Sequence, residues 1–257
     1  RNKFFQIYLQ RSLLQRLIEG TEVPPPMLNI QHRMSQSIME MVLEVYGESY
    51  QASPHVASQK MDFPSTGSFW SSRRRIFLDT VGFGEPEERD PISHSLFNQT
   101  EFEIVSQIVQ QLKEQGVQAK QISIIAPYRA QVAKLQKMQS TWESKVEVTT
   151  INAFQGREQD VIICSFVRSN LKGELGFVRD ERRLTVALTR AKEQLYLLVP
   201  ERATSQFIKE LPHNLMEDQP MTDPDLKIKN YSLSQLLVIK IRMKIKVIFL
   251  KIIQIYL

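Results

Sequence analysis

Short apolar runs alternate with helix-spaced apolar patterns along most of this chain, and that alternation restricts it to an α/β fold built on a mainly parallel sheet. The apolar runs that read as strands cover residues 28–30, 76–78, 122–126, 146–151, 160–167 and 194–199. Between them lie helical patterns. Ser35 stands where a cap would, before Ile38, Met41, Val42 and Val45 at helical spacing, with Gly47 as the stop. Asn98 and Glu101 open the clearest helix, whose apolar face is Phe102, Val105, Ile108, Val109 and Leu112 and whose end is Gly116. Two further helices are expected over 130–139 and 184–192. Residues 47–75 lack a period and read as a long connection, and the acidic segment 84–90 reads as an exposed loop. No internal repeat is present.

A chain of 257 residues with 42% hydrophobic content suits one sizeable globular domain, expected over 28–212, with residues 1–27 as the remnant of a connection and 213–257 as a tail outside it. The single cysteine, Cys164, lies within the run Val161-Ile162-Ile163-Cys164, which excludes a disulfide framework and reads as a buried structural thiol in a reducing compartment. No secretory signal is recognisable at the N-terminus, so nucleus or cytoplasm is expected. The net charge of +5 is uneven. From Leu226 onward there are seven basic residues and no acid, which leaves 26 basic against 28 acidic residues before it. Bulk charge therefore says little about partners, and binding has to be argued from local residues.

The tail alternates Ile, Met or Val with Lys or Arg from Ile239 to Val247. Charges interrupt it too often for a transmembrane helix. An amphipathic strand, a basic membrane-surface segment and read-through sequence joined to a domain ending near 212 all fit. The last is favoured, because the vocabulary narrows abruptly and turn and cap signals vanish.

The sequence contains no G-x-x-x-x-G-K-[ST] run and no apolar strand ending in Asp-Glu. Any nucleotide site is therefore expected to be supplied only in part by these residues. What the sequence does hold is three motifs expected at strand ends: Gln31-His32-Arg33-Met34, the segment from Thr149 to Glu158, and the segment from Arg182 to Lys192. An open α/β sheet binds ligands in the crevice beyond the carboxyl ends of its strands, so all three are expected there. A guanidinium is a planar fork of donors that stays charged when desolvated, which suits Arg33 and Arg190 to the charge on a phosphoryl group. Arg190 is expected within the helix over 184–192.

Taken together, Q-H-R-M, T-I-N-A-F-Q-G-R-E, S-F-V-R-S-N, G-F-V-R-D-E-R-R and V-A-L-T-R-A-K resemble, in that order, the Upf-like branch of superfamily 1 helicases. Within that branch the chain looks most like the immunoglobulin mu-binding protein 2 family, through Y-Q-A-S-P-H-V-A-S-Q-K and V-R-S-N-L-K-G-E-L-G-F. The resemblance runs from about Leu13 to Pro200. It implies a RecA-like three-layer domain of the P-loop NTPase fold, the second of two in an ATP-dependent helicase with 5′-to-3′ direction. ATP and Mg2+ would be the cofactors, held mainly by the first RecA-like domain. The partners implied are that domain and single-stranded DNA or RNA, with no membrane.

Residue by residue, the resemblance implies that Arg33 contacts the γ-phosphate and Arg190 is the arginine finger. Gln155, Gly156 and Glu158 would lie beside the nucleotide, with Glu158 reaching the ribose, although a helix-start carboxylate would look the same. His32 would lie near the adenine, at a position where the family more often has Tyr. Asn152 replaces a usual Asp and Thr185 a usual Asn. Strand contacts through the nucleic-acid backbone are expected from Pro127, Tyr128, Thr150, Arg168 and Asn170, whose amide, hydroxyl, guanidinium and aromatic groups suit phosphates and base faces. Tyr128 fits packing equally well, and Arg73-Arg74-Arg75 reads as a solvated strand entrance. No Gly-Asp-x-x-Gln-Leu-type motif occurs over 1–10, so a fragment lacking the first domain is expected. Two other readings stay open: a non-catalytic isoform that binds strands or partners, and, more weakly, an unrelated α/β enzyme using Cys164 or His32.

Overall fold

The computed structural model describes residues 12–20, 27–59, 74–79, 87–139, 142, 146–170, 176 and 180–199. The tail over 213–257, most of residues 1–27 and the middle of the long connection lie outside the described residues. Five strands form one sheet in the order β3-β9-β8-β6-β7, where β3 is Arg75–Asp79, β6 Ile122–Ala126, β7 Glu147–Thr150, β8 Gln159–Ser165 and β9 Ala191–Val199. Every pairing in it is parallel. Two small pairs flank it: β1 (Ile30–Gln31) runs parallel to β2 (Gln51–Ala52), and β4 (Glu88–Arg89) antiparallel to β5 (Leu96–Phe97).

A parallel sheet must be covered on both faces, and the two-residue period of its strands divides the apolar side chains between them. Ile122, Ile124, Val161, Ile163, Tyr196 and Leu198 face one layer, which is closed by Val105, Ile108, Val109 and Leu112 of one helix and by Val132 and Leu135 of another. Ile125, Ile162, Cys164, Leu195 and Leu197 face the other layer, closed by Ile38, Met41, Val42, Ala187 and Leu188. The result is the three-layer α/β/α arrangement that the alternation and the resemblance both imply. Cys164 is buried among apolar atoms, and desolvation pushes its thiol far up, so it is inert as expected.

The helices are α1 (Leu13–Gly20), α2 (Gln36–Met39), α3 (Leu43–Tyr46), α4 (Pro54–Ala57), α5 (Gln99–Glu114), α6 (Arg129–Met138) and α7 (Glu181–Leu188). The expectation of α5 holds to its cap: the Asn98 side chain accepts from the Glu101 backbone N–H at 3.0 Å. Five other expectations need correction. The first strand lies at Ile30–Gln31 rather than 28–30, and Leu28 is exposed. Ser35 makes no side-chain cap bond, and the helix after it tightens into a 3-10 turn at Glu40–Val42. That turn shifts the phase of the helix, so Val45, placed on the apolar face by its spacing, is 61% exposed. The long connection carries β2 and α4. Finally, α7 stops at Leu188, and Ala191 already belongs to β9.

These layers predict contrasting costs of truncation. Ile163→Ala, at a position with no exposure, should lose about 2–5 kcal/mol in urea unfolding. Val45→Ala should stay within about 0.5 kcal/mol. Equal losses would mean that the phase shift after Glu40 is wrong.

Candidate nucleotide and strand surfaces

Because all five strands run the same way, residues that precede strands and residues that follow them lie at opposite ends of the sheet. This corrects the expectation that all three motifs share one carboxyl-end crevice. Glu158 precedes β8 and Arg190 precedes β9, so both stand at amino ends; β1, which leads into Arg33, is outside the main sheet. Pro127, Tyr128, Thr150, Arg168 and Asn170 stand at or beyond the carboxyl ends of β6, β7 and β8.

At the amino end, Gln31 folds its side chain back to shape the turn. Its Oε1 accepts from the backbone N–H groups of Arg33 and Met34 at 2.8 and 2.7 Å, and its Nε2 donates to the Met34 carbonyl at 2.7 Å. Ser35 N–H then donates to the Lys192 carbonyl at 3.0 Å, pinning this turn to the start of β9. Arg33 is thereby aimed across the ends of two strands. Its Nε donates to Glu158 Oε2 at 2.6 Å and its Nη1 to the Thr189 carbonyl at 3.1 Å. Lys192 Nζ lies 3.4 Å from Glu158 Oε1. Arg33 beside it holds the Glu158 carboxyl below the usual carboxylate range.

Arg190 lies in the two-residue turn between α7 and β9, not in a helix as expected. Residues 184–192 keep a helical vocabulary, but Gln159 N–H claims the Arg190 carbonyl at 3.1 Å and starts the β8–β9 ladder there. The Arg190 side chain folds back over its own turn: Nε donates to the Val186 carbonyl at 2.9 Å, Nη1 to the Arg157 carbonyl at 3.2 Å and Nη2 to Thr189 Oγ1 at 2.8 Å. Burial lowers its pKa, and the neighbouring Arg33 charge lowers it further, against the opposing effects of Tyr46, Glu158 and Tyr50. Two guanidinium groups that repel each other, with one carboxylate bonded to Arg33, make a locus that an anion would stabilise.

Tyr46 and Tyr50 stack at 4.6 Å beside these arginines, and burial followed by the field of Tyr46 raises the Tyr50 hydroxyl pKa. In the sequence this segment stands out only through its family resemblance. An aromatic pair flanking a turn stopped by Gly47 was the signal available in it. His32, Gln155 and Gly156, sequence neighbours of Arg33 and Glu158, are exposed. Gly156 has φ 83°, a conformation that glycine adopts without a side-chain clash. Among the described residues no group of three or more His, Cys, Asp or Glu could hold a metal ion.

At the carboxyl end, Thr150 Oγ1 accepts from the Ala153 N–H at 3.3 Å, so its hydroxyl shapes the turn after β7. Arg168 is 7% exposed, and its Nη1 lies 2.9 Å from Glu87 Oε1. Glu87 Oε2 also accepts from Ser169 N–H at 2.7 Å and from Asn170 Nδ2 at 3.2 Å. The acidic segment expected as an exposed loop thus contributes a part-buried carboxylate that gathers Arg168 and Asn170. Gly176 closes over them: a Cβ there would lie 2.7 Å from the Tyr128 hydroxyl and 3.3 Å from Arg168 Nε. The expected solvated strand entrance is instead clamped, Arg74 to Glu193 and Arg75 toward Glu40, while Arg73 lies outside the described residues.

A family profile described as "AAA domain" matches residues 9–201. Mouse "DNA-binding protein SMUBP-2" is 38% identical over 195 residues, covering 74% of this chain and 20% of that protein. From Saccharomyces cerevisiae, "DNA polymerase alpha-associated DNA helicase A" is 36% identical over 198 residues, covering 71% of this chain and 29% of that protein. "ATP-dependent helicase NAM7" of the same yeast is 34% identical over 205 residues, covering 77% of this chain and 21% of that protein. The chain therefore spans between a fifth and three-tenths of the length of these relatives. A solved structure described as "The structure of PRRSV helicase" overlaps with a TM-score of 0.35 at 13% identity, covering 72% of this chain and 25% of that chain, a likeness too slight to add to the fold.

The amino-end cluster makes a titration prediction. A depressed carboxyl contributes stability above its ordinary range and loses it as pH falls, so the Arg33–Glu158 pair should weaken only in acid. Followed by carboxyl NMR, Glu158 should titrate below an ordinary glutamate, and Arg33→Ala should bring it back up. A midpoint unmoved by Arg33→Ala would show that the pair is not formed in solution.

Proposed function

Because this chain belongs to the AAA-domain family of Upf-like helicases, we propose that it is the second RecA-like domain of an ATP-dependent nucleic-acid helicase, working 5′ to 3′ beside a first RecA-like domain. The observation that carries this reading is the meeting of three separate motifs: Arg33 bonds Glu158 and the Thr189 carbonyl, and Arg190, close enough to feel both charges, bonds Thr189 Oγ1. ATP fits that cluster through its phosphates, whose oxygens can accept bidentate hydrogen bonds from two adjacent guanidinium groups. Mg2+ is assigned mainly to the first domain, as the family resemblance implies.

In this mechanism bound Mg·ATP supplies the transferable phosphoryl group, and the chain's own residues orient it and stabilise its charge. Arg33 would donate to the γ-phosphate, with Glu158 shared between its Nε and the ribose. Arg190 would act as the finger once its side chain turns from the carbonyls of Val186 and Arg157, a change that cleft closure would drive. Gln155, Gly156 and His32 border the site, with Tyr46 and Tyr50 as an aromatic wall. Single-stranded nucleic acid would cross the carboxyl-end surface of Pro127, Tyr128, Thr150, Arg168 and Asn170, read through its backbone. Nucleotide and strand thus meet opposite ends of the same strands, and the rigid sheet between them is the coupling element. The three own-chain bonds of Arg190 favour a second reading, in which that arginine is structural and the chain is a non-catalytic binding module.

The two readings part in a direct assay. By itself the chain should show no nucleic-acid-stimulated ATP turnover, because it has no phosphate loop. Joined to a first RecA-like domain it should turn over ATP, and Arg190→Lys should lower kcat by about a hundredfold or more while leaving nucleotide affinity and Tm near normal. The exposed Arg182→Lys serves as control. Near-normal kcat in Arg190→Lys would sink the finger assignment, and loss of folding would make Arg190 structural.

A further inference from the structure

Two described non-glycine residues have positive φ, His94 at 56° and Val167 at 73°. His94 is exposed beside a turn, whereas Val167 is fully buried and β-branched, the side-chain type for which the left-handed region is most costly. Such a backbone persists only where its surroundings over-determine it. Here the Val167 N–H donates to Glu101 Oε2 at 2.9 Å, and its carbonyl accepts from Asn98 Nδ2 at 3.3 Å. Ser165 Oγ donates to the same Glu101 oxygen at 2.6 Å. Gln131 ties the frame together, accepting from Asn98 N–H at 3.0 Å and donating to Ser165 Oγ at 3.0 Å.

Glu101 is not needed there for the helix it begins. In a reciprocal cap its carboxylate would reach back to the Asn98 N–H, but Gln131 holds that donor and the Asn98 side chain completes the cap alone. The Glu101 side chain instead turns inward, with no exposure, to the end of β8. A buried carboxylate is costly unless strong donors meet it, and the donors met here belong to the strand end. Left-handed geometry at Val167 ends the extended run of β8, and the next three residues are those gathered around Glu87.

We propose that Glu101 is a positioning residue for single-strand binding: it holds Val167 in the left-handed conformation that presents Arg168 to Asn170 at the carboxyl end of the sheet. This rests on the reading that the Arg168–Asn170 segment meets the strand.

The test uses the full chain, a fluorescein-labelled single-stranded oligothymidylate read by anisotropy, and Tm. Glu101→Ala should bind about tenfold more weakly, the scale of a buried donor left unmet. Glycine tolerates positive φ and alanine does not, so adding Val167→Gly should recover most of that affinity, while adding Val167→Ala should not. If Glu101→Ala does not fold, the single variants decide: Val167→Gly should bind more tightly and melt higher than Val167→Ala, reversing the usual order of these residues. Unchanged affinity in Glu101→Ala, or glycine and alanine behaving alike at 167, overturns the proposal. Asn170→Ala tests the underlying reading separately. If it binds as tightly as the unaltered chain, that reading falls and takes the proposal with it; if it loses affinity while Glu101→Ala keeps it, the positioning role alone is refuted.

Discussion

Parallel pairing is the constraint on which everything else in this molecule depends. Five strands running one way place all their carboxyl ends at one edge of the sheet and all their amino ends at the other. They also require cover on both faces, and the alternation of Ile162 with Ile163, or Tyr196 with Leu197, supplies an apolar side chain to each layer in turn. The segment from Ile151 to Glu158 has to return from the carboxyl end of β7 to the amino end of β8. It does so with Ile151 and Phe154 buried against the sheet and its polar residues outside. One motif therefore offers Thr150 at one end of the sheet and Glu158 at the other.

The two ends use charge differently. At the amino end burial and the nearby Arg33 disfavour the charge on Arg190, and a partly exposed Glu158 only partly offsets this. Such an arrangement gains from a further anion. At the carboxyl end Arg168 is buried against Glu87, and the pair is nearly removed from solvent. A buried pair of this kind gives geometry more than stability, since desolvation of both partners offsets much of their attraction. The first cluster suits a ligand that arrives and leaves, and the second suits a surface that must keep its shape.

Much of this was legible in the sequence where local pattern decides structure. The cap at Asn98, the apolar face of α5 and the run Ile122–Ala126 needed only period and composition. The association of Arg33, Glu158 and Arg190 was legible through the order of their motifs, although not their placement at amino ends. Thr189-Arg190-Ala191 looks helical by vocabulary, and only the ladder with β8 fixes Ala191 as the start of a strand. Val45 was misplaced because a 3-10 turn changes phase without a distinctive residue. The Glu87–Arg168 pair joins residues 81 positions apart, by difference of their numbers, and no period records such a pairing. Left-handed Val167 was least legible, because its own side chain argues against that conformation and the groups enforcing it come from α5 and α6.

The central claim is that nucleotide and nucleic acid meet opposite ends of one parallel sheet. Backbone NMR of the chain, titrated separately with a non-hydrolysable ATP analogue and with an oligothymidylate, tests it most directly. The account predicts two separate sets of shifted amides, one around Arg33, Glu158 and Arg190, the other around Tyr128, Thr150 and Arg168 to Asn170. Shifts from both ligands converging on the same end of the sheet would contradict it.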